Sequence, residues 1–118
     1  MASWNGKAYN LNQEENNMFE IEGKNYTLRY NIRRIELIES ATQESMMAEL
    51  KRTNCLLSLR TLKTYFSYGL QNESGNYISP KEAESYAEKL IQSEGYAKLD
   101  EAVISAIQND CPFFFQAG

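Results

Sequence analysis

Residues 19–31, Phe-Glu-Ile-Glu-Gly-Lys-Asn-Tyr-Thr-Leu-Arg-Tyr-Asn, hold the clearest two-residue alternation of apolar and polar positions in the chain. Phe19 and Ile21 precede the polar run Glu22-Gly23-Lys24-Asn25, and Tyr26, Leu28 and Tyr30 follow it. Alternation on both sides of a Gly-containing connection predicts a β-hairpin with its turn over residues 22–25. Most of the remaining apolar residues recur at three- and four-residue steps, the period of helices buried along one face. Asn31 suits an N-cap, followed by a helix carrying Ile32, Ile35 and Ile38 inward. Residues 41–44 read as a break. A short helix follows, with Met46, Met47 and Leu50 as its apolar face, ending near Thr53-Asn54.

Ser58 can cap a helix over residues 59–71 whose stripe is Leu59, Leu62, Phe66 and Leu70. Gly69 in that helix either admits a close neighbour or weakens the last turn. Residues 71–78 read as a loop, and Ser79-Pro80-Lys81-Glu82 is the strongest helix start in the chain. Ser is the N-cap, Pro occupies the first helical position, and Glu82 completes a capping box. Ala83, Tyr86, Ala87, Leu90 and Ile91 form its buried stripe, and Gly95 ends it. A last helix over residues 98–109 turns Leu99, Val103, Ala106 and Ile107 inward before Pro112 stops it. The pattern predicts an α+β domain: an N-terminal β-hairpin sheet packed on a bundle of four to five short α-helices, spanning residues 18–118. Residues 1–17 form a polar leader. Within it Trp4, Gly6, Lys7, Tyr9 and Leu11 fall where Ile21, Gly23, Lys24, Tyr26 and Leu28 fall in the hairpin. Either this echo is coincidence or a further hairpin in the leader extends the sheet.

A chain of 118 residues is expected to fold as one domain. It contains no His, which removes the usual general base and the commonest zinc ligand. Cys55 and Cys111 stand 56 positions apart without a metal-ligand pattern, and buried free thiols are the simpler reading. No phosphate-binding glycine loop, calcium loop or nucleophile beside a base is recognisable, so no catalytic residue, metal or cofactor is expected and an enzyme is not indicated. Glu20 and Glu22 read as solvent-facing hairpin residues. Glu84 and Glu88 form a like-charge pair on an exposed helix face.

No apolar run approaches the length of a membrane span, and the N-terminus lacks a secretory signal, so a soluble intracellular protein is expected. The net charge is −4, with the acidic excess in the second half, a poor platform for nucleic-acid phosphates. Arg29, Arg33 and Arg34, offset by Glu36 and Glu39, read as a solvated helix face. Arg60 and Lys63 near the start of a helix offer only a weak imitation of a DNA-reading helix.

Two features suit contact rather than chemistry. Phe113, Phe114 and Phe115 cannot all face a core from one regular element, so at least one should be exposed to a partner or to another copy. Tyr65 and Tyr68 lie on the 59–71 helix outside its main stripe and are the other candidate contact residues. Met46 and Met47 fit either core packing or an adaptable surface, and their spacing with Leu50 favours the core.

The segments MFEIEGKNYTLRYNIRRIELIE, SLRTLKTYFSYGLQ, SPKEAESYAEKLIQSEGY and CPFFF, in that order and spacing, resemble the tail assembly chaperones of long-tailed bacteriophages. The resemblance covers residues 18–115 and leaves out the leader. It implies a small, mostly helical, self-associating protein that coats the tape-measure protein and recruits the major tail protein as the tail tube assembles. It further implies action in the host cell cytoplasm and absence from the mature virion. Alternatives are another morphogenesis component, such as a head–tail connector or tail-completion protein, and more distantly a small DNA-binding regulator.

Overall fold

The computed structural model describes residues 17–115. The echo of the hairpin at residues 4–11, and with it the choice between coincidence and a further hairpin, lies outside the described residues. The chain forms an α+β domain in which a small N-terminal antiparallel sheet packs on five helices. Strand β1 (Met18–Ile21) and strand β2 (Lys24–Leu28) pair in the register Phe19 with Tyr26 and Ile21 with Lys24. The turn is tighter than the sequence suggests. Only Glu22 and Gly23 lie in it, at φ of 55° and 81°, and Lys24 and Asn25 already belong to β2. Positive φ at both central residues matches the twist of the flanking strands, which is why two-residue hairpin turns adopt it.

Alternation along the strands buries Phe19, Ile21, Tyr26 and Leu28 on one face. Phe19 meets Phe66 edge-on at 5.7 Å between ring centres, and Tyr26 meets Tyr86 at 5.4 Å. These two ring pairs tie the sheet to the helices, each adding roughly 0.5–1.5 kcal/mol beyond the area it buries.

Helix α1 (Ile32–Thr42) starts as expected, with the Asn31 side chain accepting from Arg34 N at 2.8 Å. Ile35 and Ile38 face the core, but Ile32 is exposed because it stands in the first turn, before the helix has reached its neighbours. Helix α1 runs to Thr42 and is closed by Gln43 in the left-handed conformation, so the break is shorter than residues 41–44. Helix α2 (Met46–Thr53) buries Met46 and Leu50 and leaves Met47 half-buried.

Helix α3 (Leu59–Gly69) is capped by Ser58, whose hydroxyl accepts from Thr61 N. Its buried face is Leu62, Tyr65, Phe66, Ser67 and Gly69, while Leu59 is exposed. The helix ends two residues earlier than its periodicity implies. Leu70 and Gln71 instead form strand β3, pairing with Leu28 and Thr27 and making the hairpin a three-stranded sheet in the order β1-β2-β3. The supposed loop beyond is partly extended as well, since Gln71 bridges to Tyr77.

Helix α4 (Pro80–Glu94) begins at the Ser79 cap with Pro80 in its first turn. Ala83, Tyr86 and Ala87 are fully buried, and Leu90 and Ile91 pack against the core with partial exposure. Gly95, at φ 100°, serves as the end of α4 and the start of helix α5 (Tyr96–Asp110), so α5 opens two residues before the expected position. Leu99, Val103, Ala106 and Ile107 are buried as the spacing predicts. A short 3-10 turn, Pro112–Phe115, follows.

Candidate functional site

The polar atoms that sit deepest are committed to holding elements together. The Asp100 carboxylate, on the buried side of α5, accepts from Leu57 N at 3.2 Å, and Tyr96 Oη donates to Leu57 O at 2.6 Å. Both backbone groups of one residue in the α2–α3 connection are thereby satisfied by α5. Burial raises the Asp100 carboxyl above its ordinary value, and the bond from Leu57 N only partly offsets this. Glu49, also buried, pairs with Arg52 at 2.8 Å, which holds its carboxyl low. The Tyr30 hydroxyl donates to Tyr65 O at 2.8 Å, and burial raises its pKa well above that of a free phenol. Cys111 is a buried free thiol pushed up by burial, and Cys55 is a half-buried free thiol. Among the described residues no group of three or more His, Cys, Asp or Glu side chains is placed to hold a metal ion. No described helix is long and apolar enough to cross a membrane.

The candidate contact residues divide. Tyr65 is a correction: only 1% of it is exposed, so it is core and offers no surface to a partner. It sits one residue before Phe66 in the buried core, and its backbone carbonyl accepts from the Tyr30 hydroxyl. Tyr68 is half-buried at the helix end. Of the three tail phenylalanines, Phe114 packs partly against the core, while Phe113 and Phe115 are 47% and 38% exposed. The 3-10 turn separates them: one ring turns inward and two turn out.

Phe113 and Phe115 do not stand alone. The Asp110 carboxylate accepts from Tyr30 N at 2.9 Å and lies 3.4 Å from Arg29 Nε, joining the end of α5 to the start of α1. Ile32, two residues beyond Tyr30, is 59% exposed. The joint therefore places the start of α1, where Ile32 is exposed, against the end of α5, which leads into the Pro112–Phe115 turn. Leu56 and Leu59, also exposed, flank the buried Leu57 in the α2–α3 connection.

No protein-family model matches the chain, and no curated protein and no solved structure matches it either. The furrow along α3 between α1 and the start of α4, about 760 Å³ in volume, is lined by Thr42, Thr64, Ser67 and Tyr68 with charges of both signs. Thr42, Thr64 and Ser67 each donate to the carbonyl four residues earlier in their own helix, so their hydroxyl protons are already used. Lys63, which with Arg60 gave the weak imitation of a DNA-reading helix, is held by Glu88 at 2.8 Å and Glu84 at 3.7 Å. That bridge also relieves the like-charge pair on α4.

Sequence reasoning missed one surface cluster. Arg34 lies 3.8 Å over the Tyr77 ring and 5.9 Å from that of Tyr68, and its Nε donates to Tyr68 O at 2.7 Å. Tyr77 Oη donates to Arg29 O at 2.9 Å. The expectation of a solvated helix face holds for Arg33 and Glu36, which are exposed, but not for the others: Arg29 pairs with Asp110, Arg34 is stacked, and Glu39 caps Met46 N at 2.8 Å. The period of α1 shows which face Arg34 occupies, but nothing in the sequence brings Tyr77, 43 positions away, onto it.

Proposed function

We propose that this protein works through contacts, as an assembly chaperone of the phage-tail type. In this reading it associates with copies of itself, coats the tape-measure protein and recruits the major tail protein, in the host cell cytoplasm and without remaining in the finished virion. The observation that carries the reading is the apolar end of the domain. Ile32, Phe113 and Phe115 stay exposed although the fold has a continuous core in which to place such residues. Exposed large apolar side chains gathered at one place commonly mark surfaces that bind other chains. A hairpin followed by short capped helices also suits the order of segments on which the resemblance rests.

Substituting Phe113 and Phe115 with Ser tests the proposal while leaving Phe114 on the core. The double variant should keep the wild-type melting temperature, lose self-association across a light-scattering concentration series, and no longer retain a co-expressed tape-measure fragment. Unchanged association and unchanged retention would refute the assignment of this end as the contact surface. If wild-type protein retained no tape-measure fragment at all, the chaperone reading itself would fall.

A further inference from the structure

We propose that Arg34, held by Tyr68 and Tyr77, is a recognition point for a carboxylate carried by an acidic segment of a protein partner. A guanidinium is planar and presents a fork of donors that matches a carboxylate in two parallel bonds. Here one side of that fork is spent internally, on Tyr68 O at the carbonyl end of α3, where helix carbonyls lack partners of their own. The stack on Tyr77 at 3.8 Å fixes the plane. Among the described residues no acceptor takes the two terminal nitrogens, which keep their donors in a set orientation.

An exposed arginine normally loses side-chain freedom when it binds, and that loss offsets much of its gain. Arg34 is already ordered before any partner arrives. Arg29 meets Tyr77 through its backbone carbonyl, but its guanidinium is paired with Asp110, so the charge that an incoming carboxylate would meet is that of Arg34. The chain as a whole carries a net charge of −4, so a polyanion such as nucleic acid would be repelled by the rest of the surface. A single acidic side chain on a protein segment meets the fork without that penalty. This inference does not depend on the tail-assembly reading.

The test is NMR titration of the full chain with a blocked Gly-Gly-Glu-Gly-Gly peptide, which carries a single carboxylate, observing Arg34 Nε–H and the Tyr68 and Tyr77 ring protons. These signals should move together and saturate. Arg34→Lys, which keeps the charge but loses the fork and stack, should weaken binding by roughly tenfold, about the worth of one charge-assisted hydrogen bond. Tyr77→Leu should weaken it in the same direction, and Arg60→Lys should leave it unchanged. If Tyr77→Leu does not fold, the contrast between Arg34→Lys and Arg60→Lys decides. Equal binding by Arg34→Lys and wild type would overturn the proposal. So would shifts spread evenly over Arg33, Arg60 and Lys81, or inorganic phosphate moving the same signals at the same concentration as the peptide.

Discussion

Gly69→Ala is expected to destabilise the domain by about 3 kcal/mol, a value built from three opposing effects. Gly69 is a buried helical residue at the end of α3, so its backbone would accept alanine. Taken alone, the change should stabilise by roughly 0.5–1 kcal/mol, because alanine loses less freedom on folding. The obstacle is Tyr30. A Cβ on residue 69 would lie 2.3 Å from Tyr30 Cζ and 2.6 Å from both Cε1 and Oη.

A rotation cannot clear that ring. Tyr30 is buried, its backbone N–H is held by Asp110, and its hydroxyl is bonded to Tyr65 O. Making room means displacing the ring by about an ångström, with an overpacking cost of roughly 1–3 kcal/mol. Stretching the Tyr30–Tyr65 bond until it breaks adds about 1–3 kcal/mol for a buried group left without its partner. The assay is urea unfolding followed by tryptophan-independent far-ultraviolet dichroism. With a slope near 1.5 kcal/mol per molar, the midpoint should fall by about 2 M at unchanged slope. In a Tyr30→Ala background the same Gly69→Ala change should become neutral or stabilising. A single Gly69→Ala variant with the wild-type midpoint, or a higher one, would refute the reading of Gly69 as the site of close approach.

Other consequences are as direct. Asp100 has a folded-state pKa above its unfolded value, so ionising it opposes folding, and its contribution improves as pH falls through the folded value toward about 4. Asp100→Asn keeps an acceptor for Leu57 N, and its melting temperature relative to wild type should be higher at pH 7.5 than at pH 4; the reverse order would contradict the sign. Lys63→Gln leaves Glu84 and Glu88 facing each other without their shared cation, so its melting temperature should drop at low salt and approach wild type in about 0.5 M salt, where the screening length falls to about 4 Å. Ser79→Ala removes the acceptor for Glu82 N at 3.2 Å and should cost about 1 kcal/mol by urea unfolding.

Features that depend on a few neighbouring residues were readable from the chain. Asn31, Ser58 and Ser79 all act as the N-caps their types suggest, because a cap bonds within three positions. The hairpin alternation also emerges intact. What periodicity does not encode is where a helix meets its neighbours. Ile32 and Leu59 fit the stripes of α1 and α3 yet stand in first turns that project beyond the core. Tyr65, taken for a surface residue, belongs instead to the buried core, where α3 turns it inward beside Phe66. Strand β3 has only two residues and exists because Leu28 and Thr27 offer partners, so no local signal marks it. The same holds for the contact residues: exposed rings could be foreseen in a run of three phenylalanines, whereas the stacking of Arg34 on Tyr77 arises only when the chain is folded.

The bond from Tyr30 N to Asp110 has a consequence for the order of events during synthesis. It spans 80 positions. A hairpin forms in microseconds, but a ribosome adding roughly 5–20 residues per second needs about 4–16 s to reach the partner of this one. Over that interval the nascent hairpin has its turn and its ladder but not its closing contact, and the ring of Tyr30 has no settled place. Helices α3 and α4, close in sequence, can pair meanwhile, leaving the join between Tyr30 and the end of α5 as a late step. Translation speed across the last helix would then govern how long the apolar face of the sheet stays available to chaperones, to proteases, or to another growing chain.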